Sequence, residues 1–417
     1  MTARVAPFRA LRYRSDRVAG LDAVLAPPYD VIGPEQAAQL RGRSPHNIAH
    51  ITNPVGDGPE RYERAARTLE SWVEDGVLAR AARTAFYVHK HHFSSDDQTF
   101  VRTGVWAALR LAAYDEGIVL PHERTMKGPK ADRLALMRAC RAHLSPVFFI
   151  CSDAEARVAG LLGQLTEGEP TERAEFPAGQ AHELWNVEER EILDELAGAL
   201  NEQNFLIADG HHRYETALAY RDEVGSADTG PGRAAHEFLL AYIVPESDPG
   251  LLLLPTHRTI GGEPLNWSGA ALDAASDFEV IRLADVDVDL AQQALEEEAG
   301  RPTFMLVARS EPGGWLMRAR KPGALRGISS VALHDVFLSG CLGLSAEEQL
   351  GRIGYVKEVG AALEAVRSGA VQAAALLAAP LVSQVREAAA AGERTPAKTT
   401  YFWPKVPTGI AIHVVDE

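Results

Sequence analysis

The sequence predicts an α+β fold in which a mixed β-sheet and several helices surround one strand–turn–helix element. Residues 205–208 form a short apolar run, as expected of a buried strand. The run ends at Asp209-Gly210, and from His211 onward apolar residues recur at steps of three and four, which is typical of a helix. Further patterns predict strands over 85–92 and 102–109 and an amphipathic helix over 59–75.

The turn at Asp209-Gly210 is the first candidate site. A helix start leaves backbone N–H groups without intrahelical partners, and these donors suit a phosphate. His211 and His212 add side-chain donors, and Arg213 can fork onto two phosphate oxygens. A carboxylate such as Asp209 beside phosphates is best explained by a magnesium ion between them. The alternative is a structural corner, with Asp209 as the helix cap and Gly210 easing the turn.

Composition limits the classes of protein to consider. The chain has 417 residues, is 46% hydrophobic and 24% charged, and carries a net charge of −15. Such a charge argues against non-specific nucleic-acid binding, although a small anion can still bind in a locally basic cleft. Cys140, Cys151 and Cys341 have no zinc spacing and suggest no disulfide framework. Without an N-terminal apolar signal or a long apolar span, the sequence predicts a soluble cytoplasmic protein.

A polar loop over residues 119–134, which opens the stretch 119–149, is the second candidate site, because it shows neither a helical nor a strand apolar period. Glu123, beside cations, can act as a general base toward a hydroxyl substrate. A salt-bridged surface loop is the alternative. A helix is expected up to about residue 142, followed by a strand that begins near Pro146. The candidate residues of this loop are His122, Glu123, Arg124, Thr125, Lys127 and Lys130.

Three shorter motifs add possible substrate-site residues. Tyr29 and Asp30 follow two prolines and either line a cleft or form a rigid approach to the core. His257 and Arg258 are expected at the polar tip of an apolar strand, where sites form on α/β sheets. Lys398 can reach an anion, although a strand that completes a sheet is the simpler use of the C-terminal tail.

Three histidines on one predicted strand, His89, His91 and His92, suggest a metal site at first sight. Alternation places His89 and His91 on one face of the strand. No acidic or cysteine partner follows at ligand spacing, so a solvated strand face is the favoured interpretation.

Residues 331–395 are predicted to be mostly helical. The alanine-rich stretch 371–391 has the composition of a helix that Pro380 interrupts.

The chain resembles, over essentially its whole length, the family catalogued as domain of unknown function 1015. The motifs that carry the resemblance are Pro27-Pro-Tyr-Asp30-Val-Ile, Pro121-His-Glu-Arg-Thr125, Lys130-Ala-Asp-Arg-Leu134, Asp209-Gly-His-His-Arg-Tyr214, Pro255-Thr-His-Arg258 and Lys398-Thr-Thr-Tyr-Phe402.

The run from Asp209 to Arg213 is also similar to the phosphate motif of the ParB/sulfiredoxin superfamily, and most of all to its free-serine kinases. That resemblance implies a ParB/sulfiredoxin-like nucleotide-binding core, with ATP or ADP as the phosphoryl donor and Mg2+ as cofactor. It implies that Glu123, preceded by His122, deprotonates the substrate hydroxyl and that Asp209 helps to place metal and phosphates. The chain departs from compact superfamily members at residues 152–200, which would be an insertion covering or bordering the site.

These expectations predict a small-molecule kinase that acts most readily on free L-serine, with Lys127, Lys130 or Lys398 offsetting charge on the transferred group. The expected organisation is an N-terminal α/β region over 1–110, the phosphate-binding core over 111–260 and a C-terminal α/β region over 261–417. One alternative is a nucleotide-binding switch that hydrolyses slowly or not at all. A ParB-like DNA partner or nuclease is disfavoured by the net charge and by the absence of a basic stripe.

Overall fold

The structure is a computed structural model that describes residues 4–95, 98–123, 127–225, 234–321, 327–396 and 398–415, with the side chains of 127–129 left out. The chain folds into two compact units. Unit 1 comprises Met1–Leu120, Thr125–Leu252 and Pro404–Glu417, and unit 2 comprises Pro121–Arg124 and Leu253–Trp403. These bounds differ from those of the three regions expected from the order of the motifs. The division into three regions stays a prediction.

Helices and short runs of strands are interspersed along the chain, which gives a mixed α+β architecture. The strands are β1 (Val5–Ala6), β2 (Leu11–Tyr13), β3 (Leu78–Arg80), β4 (Phe86–Ser95), β5 (Gln98–Arg110), β6 (Val119–Leu120), β7 (Ala142–His143), β8 (Val147–Cys151), β9 (Glu172–Glu175), β10 (Ala181–Val187), β11 (Phe205–Asp209), β12 (Phe238–Pro245), β13 (Leu252–Leu254), β14 (His257–Ile260), β15 (Phe278–Leu283), β16 (Thr303–Ala308), β17 (Gly314–Ala319), β18 (Ile353–Val356), β19 (Ala373–Leu377), β20 (Tyr401–Trp403) and β21 (His413–Val414).

The helices include the predicted amphipathic helix, which ends just before Gly76, and the predicted helix that begins at His211. They are α1 (Leu21–Val24), α2 (Pro34–Arg43), α3 (Ala49–Thr52), α4 (Glu60–Glu74), α5 (Lys127–Cys140), α6 (Arg157–Leu165), α7 (Arg190–Asn201), α8 (His211–Val224), α9 (Trp267–Asp273), α10 (Val288–Glu297), α11 (Ser329–Val331), α12 (Ala346–Arg352), α13 (Val359–Arg367) and α14 (Val382–Ala390). A π-helical segment, Ala332–Cys341, continues α11.

Unit 1 is built on a mixed sheet of nine described strands in the order β6-β11-β8-β12-β5-β4-β10-β9, with β1 beside β5. The pairs β11/β6 and β12/β8 are parallel and the other pairs are antiparallel. The expected insertion 152–200 therefore contributes two strands, β9 and β10, to this sheet as well as α6 and α7. Its being an insertion stays a prediction.

One face of this sheet is apolar and packs on α6, α7 and α8 through residues such as Val105, Phe149, Ile207 and Leu196. The opposite face carries polar side chains that are also buried. His89 and His91 lie on that face and are both fully buried, so their interpretation as a solvated strand face is wrong. The alternation correctly predicts that the two histidines share a face, but it cannot show that other polar groups cover that face.

Unit 2 contains an antiparallel sheet of six described strands in the order β15-β17-β16-β19-β14-β18, and a separate β13–β20 pair. Residues 373–377 form the buried strand β19 near its centre, so the helical interpretation of 371–391 is wrong for that part. The pairing and burial of β19 override the helix propensity of alanine. Only the residues after Pro380 form a helix, α14.

His257 and Arg258 begin strand β14 instead of ending the preceding strand, because Pro255 and Thr256 interrupt the run between β13 and β14. Both side chains are buried. The predicted position at a strand tip is therefore wrong.

Within the described residues no single helix has the length and apolar composition to cross a membrane. One pair, Ser329–Cys341 with Ala346–Arg352, meets those criteria only across a bend of 112°.

Candidate functional site

The predicted strand–turn–helix corner is present at residues 205–224 of unit 1. The register between β11 and β8 shifts before Asp209, which ends the strand. Gly210 has φ = 100°, a left-handed conformation that favours glycine, and α8 begins at His211. A Cβ at Gly210 would lie 3.0 Å from the Arg213 guanidinium carbon, so the turn also leaves room for that side chain to fold back.

The carboxylate of Asp209 binds two cations. The Arg213 guanidinium donates to Oδ2 and the Lys405 ammonium donates to Oδ1, and each of the three side chains is less than 15% exposed. Burial alone would raise the pKa of Asp209, but Lys405 and Arg213 outweigh it and hold that pKa well below its usual range. Asp209 is therefore ionised. Gly210 is the N-cap residue of α8 and no side chain caps the helix start, so the alternative in which Asp209 is the helix cap is wrong.

Arg213 is fixed from a second direction. Its Nη1 donates to the backbone carbonyl of Pro146, at the start of β8. Burial tends to lower the pKa of Arg213, whereas Asp209 and Asp30 raise it, and the net shift is upward. The guanidinium is thus a permanent charge held in one orientation, which favours recognition of a second anion at its remaining donors.

The first turn of α8 separates its two histidines. His211 is buried and His212 is half-buried. His211 contributes to lowering the pKa of Asp209, so it lies on the carboxylate side of the corner.

Two other predicted motifs meet at this corner of unit 1. The guanidinium of Arg133 lies 4.0 Å from the centre of the Tyr29 ring and donates to the carbonyl of Thr52 at 2.9 Å. Arg133 also pairs with its neighbour Asp132. Asp30 is exposed, and its charge acts on Arg213. Tyr29, but not Asp30, lines the cavity described next, and the role of this motif as part of a cleft stays a prediction.

A small cavity of about 60 Å3 adjoins Arg213, which is room for several water molecules. One part of the wall is apolar, with Leu136 and Met137 of α5. The polar part of the wall is formed by Tyr29, Thr52, Arg133, His143, Ser145, Arg213 and Thr216.

Lys130 is committed elsewhere in unit 1. Its ammonium donates to Glu215 of α8 at 2.7 Å, which ties α5 to α8. The side chain of Lys127 and the whole of Arg124 and Thr125 lie outside the described residues, so their roles stay predictions.

In unit 2, His122 and Glu123 run beside the segment 394–400. Thr395 donates its N–H to the carbonyl of His122 at 2.8 Å, and His122 Nε2 lies 2.7 Å from Thr400 Oγ1. Glu123 Oε1 accepts from the N–H of Lys398 at 3.3 Å. His122 is fully buried, whereas Glu123 is half-buried. The buried contacts of His122 suit a residue that supports the structure. The catalytic roles of His122 and Glu123 stay predictions.

Arg258 is a buried cation of unit 2. It donates to the carbonyl of Thr256 and, at 3.3 Å, to His334 Nε2, and it lies 5.0 Å from the centre of the Tyr355 ring. Burial lowers the pKa of Arg258 to about 10, and the charge of Glu123 opposes that shift. His257 accepts from the N–H of Leu377 at 3.1 Å, and burial lowers its pKa to about 4. A structural role of His257 is sufficient to explain its hydrogen bond with Leu377.

Lys405 is the site residue that sequence reasoning missed. It follows Pro404 in an irregular tail, and no periodicity marks it. The one signal in the sequence is the cationic tail as a whole, which predicts Lys398 and Lys405 equally well.

The residues present do not by themselves form a metal site. Among the described residues no group of three or more His, Cys, Asp or Glu side chains is placed to hold a metal ion. The buried carboxylate at the corner, Asp209, already binds two cations. Magnesium usually binds through one or two carboxylates together with nucleotide phosphates, so a metal here would depend on a bound nucleotide.

Several solved structures resemble this chain at low identity. A conserved hypothetical protein from Pyrococcus furiosus is 16% identical, with a TM-score of 0.37, and the match covers 75% of this chain and 96% of that one. A free serine kinase, solved with AMP and, as a mutant, with ADP, is 15% identical, with a TM-score of 0.36 and coverage of 74% and 92%. SbnI with a C-terminal truncation, from Staphylococcus aureus, is 8% identical, with a TM-score of 0.37 and coverage of 74% and 87%.

No curated protein matches the chain. A family match, by contrast, extends over residues 5–334, which is most of the sequence. The chain therefore belongs to the family described as Protein of unknown function (DUF1015).

Proposed function

We propose that this protein is a small-molecule kinase that transfers a phosphoryl group from ATP or ADP to a hydroxyl metabolite, with free L-serine as the favoured acceptor. The observation that supports the proposal most is the corner of unit 1, where Arg213 and Lys405 flank Asp209 at the start of α8. A guanidinium, an ammonium and a helix N-terminus together suit the charge and shape of polyphosphate.

Phosphoryl transfer depends mainly on positioning and on neutralising charge. In the proposal, Arg213 and Lys405 hold phosphate oxygens, and Gly210, His211 and His212 form the adjoining turn. Magnesium, when bound with the nucleotide, would neutralise further phosphate charge. Asp209 is the proposed protein ligand, and it would exchange one of its present cations for the metal.

The sequence resemblance assigns Glu123 the role of the base that takes the hydroxyl proton, with His122 as its neighbour. Lys398, Arg258 and the residues Tyr29 and Asp30 are proposed to contact substrate. The ParB/sulfiredoxin-like nature of the core belongs to the same proposal.

The decisive experiment incubates the purified protein with magnesium, either ATP or ADP, and a pool of hydroxyl metabolites that includes L-serine. Mass spectrometry should detect O-phosphoserine or another phosphorylated product that requires both the nucleotide and the protein. The test variant is Arg213→Gln, which removes the positive charge at that position and should abolish product formation. Nucleotide binding without any product would overturn the kinase proposal in favour of a nucleotide-binding switch.

A further inference from the structure

The face of the unit 1 sheet that carries Asp209 is polar and buried over several strands. Asp209 pairs with Phe148, Phe148 with Tyr242, and Tyr242 with Trp106, so these residues form one row across β11, β8, β12 and β5. Arg102 lies on β5 four residues before Trp106 and therefore faces the same side. It is fully buried.

The guanidinium of Arg102 connects this face to the segment that carries Lys405. Its Nη1 donates to the backbone carbonyl of Pro404 at 2.9 Å. The same guanidinium lies 4.9 Å from the centre of the Phe148 ring, next to Asp209 in the row. Pro404 has no N–H, so its carbonyl is its one backbone hydrogen-bonding group. Fixing that carbonyl fixes the point from which the next residue, Lys405, extends to Asp209.

A neutral histidine holds Arg102 on its other side. Arg102 Nη2 donates to His91 Nδ1 at 3.1 Å, and His91 Nε2 lies 2.8 Å from Gln180 Oε1. Because Nδ1 must accept, Nε2 carries the proton and donates to the glutamine oxygen. Burial first, and the charge of Arg102 among other causes, lower the pKa of His91, which keeps it in this acceptor state.

A second chain of hydrogen bonds packs against the first. Trp106 Nε1 donates to His89 Nδ1 at 3.4 Å, His89 Nε2 lies 2.9 Å from His182 Nδ1, and His182 Nε2 lies 2.5 Å from the carbonyl of Phe176. The rings of His91 and His182 are 4.1 Å apart. The uncharged imidazoles of His89, His91 and His182 are therefore held by hydrogen bonds, and together they fix the orientation of Arg102.

We propose that Arg102 is a positioning residue that holds the backbone at Pro404 so that the ammonium of Lys405 lies on Asp209. Arg102 itself makes no contact with Asp209 or with nucleotide in this scheme. The part of the inference that concerns nucleotide affinity depends on the proposed function. The part that concerns the position of residues 404–405 does not.

The first test needs no ligand. Hydrogen–deuterium exchange is measured on the full-length protein for a peptide that contains Lys405 and Val406. Arg102→Met should speed exchange of that peptide about tenfold or more, because a charge-assisted hydrogen bond to its backbone is lost. Arg102→Lys, which keeps a donor, should have a smaller effect and guards against a variant that fails to fold. The matched control is Arg221→Met, which removes another arginine that donates to a backbone carbonyl in unit 1, that of Leu111. Unchanged exchange in both Arg102 variants would overturn the proposal.

The second test is a double-mutant cycle with ADP as the probe. Arg102→Met and Lys405→Met should each weaken ADP binding, and the double variant should bind about as well as Lys405→Met alone. Additive losses would show that Arg102 acts independently of Lys405 and would overturn the proposal. If the wild-type protein binds no ADP, the proposed function fails, and the exchange experiment still decides the role of Arg102.

Discussion

Each unit buries an arginine in its candidate site, but the two surroundings offset the charge to different degrees. In unit 1, Arg213 binds the Asp209 carboxylate, and its pKa is raised despite burial. In unit 2, Arg258 contacts a carbonyl, an imidazole and an aromatic ring, and burial lowers its pKa to about 10. Unit 1 therefore holds a pre-assembled cluster of opposite charges. A bound anionic group would stabilise the charge of Arg258 more than that of Arg213, which already has a carboxylate partner.

The largest expected effect is on turnover, and it distinguishes the catalytic role proposed for unit 2 from the nucleotide-binding role proposed for unit 1. Glu123→Gln in unit 2 should lower turnover roughly 10²–10⁴-fold because a positioned base is lost, while ADP affinity stays near the wild-type value. Arg213→Gln in unit 1 should weaken ADP binding itself. Turnover is measured with saturating nucleotide, and binding by calorimetry. Wild-type turnover in Glu123→Gln would remove this residue from the mechanism.

The next effect concerns the stability of the unit 1 cluster. Asp209→Asn should lower the free energy of unfolding by about 3–5 kcal/mol, because two buried cations lose their carboxylate. Urea denaturation measures the change. Asp222→Asn on α8 of the same unit is the matched control, since it breaks a more exposed pair with Arg221 that is worth less than about 1 kcal/mol. Equal effects of the two substitutions would contradict the assigned importance of the buried cluster.

Acid should destabilise both units through their neutral histidines. Burial lowers the pKa of His182 and His413 in unit 1, and of His257 and His334 in unit 2, to about 4 each. The unfolded chain binds more protons than the folded one between pH 4 and about 6.5, so stability is full above that range and falls as the pH drops through it.

At pH 5 each such imidazole should cost about 2 kcal/mol. Urea denaturation at pH 7.5 and pH 5 measures the sum. His182→Asn should reduce the proton uptake on unfolding by about one, and an unchanged uptake would show that His182 is protonated in the folded protein.

Alanine substitutions at two glycines with positive φ compare the crowded corner of unit 1 with an open turn of unit 2. Gly210 in unit 1 has φ = 100° and Gly392 in unit 2 has φ = 75°, so alanine at either should cost about 1–2 kcal/mol of stability. Only at Gly210 would the new Cβ press on the Arg213 guanidinium, since among the described residues no atom beyond the two chain neighbours lies within 4 Å of the position at Gly392. ADP binding should therefore weaken in Gly210→Ala and stay unchanged in Gly392→Ala.

The smallest expected effect is that of Arg258→Met on stability. Hydrogen bonds are lost, but the cost of burying a charge is recovered, so the free energy of unfolding should change by no more than about 1 kcal/mol. Arg213→Met, which leaves Asp209 with one cation fewer, should cost clearly more. Similar losses from both substitutions would erase the contrast between the units.

Sequence reasoning was most successful where the signal is local. The structure confirms the strand ending at Asp209, the turn at Gly210 and the helix from His211. These elements could be predicted because apolar periodicity and an Asp-Gly turn depend only on residues that are adjacent in sequence. It was wrong for residues 373–377, where burial between β14 and β16 overrides the helical preference of alanine. Lys405 was missed because a contact across 196 residues leaves no mark on either segment.

The histidines show a different limit. The alternation of His89 and His91 was correctly read, but their burial depends on Arg102 and His182 from other strands. A pattern in one strand reveals which residues share a face, and the covering of that face is set by the tertiary structure.

The return of residues 404–417 to unit 1 has a consequence during synthesis. The ribosome translates Lys405 only after residues 253–403, although Asp209 and Arg213 emerge much earlier. A nascent chain interrupted within unit 2 thus carries the aspartate with a single cationic neighbour. The complete cluster of Asp209, Arg213 and Lys405 therefore forms only after translation has passed through the whole of unit 2.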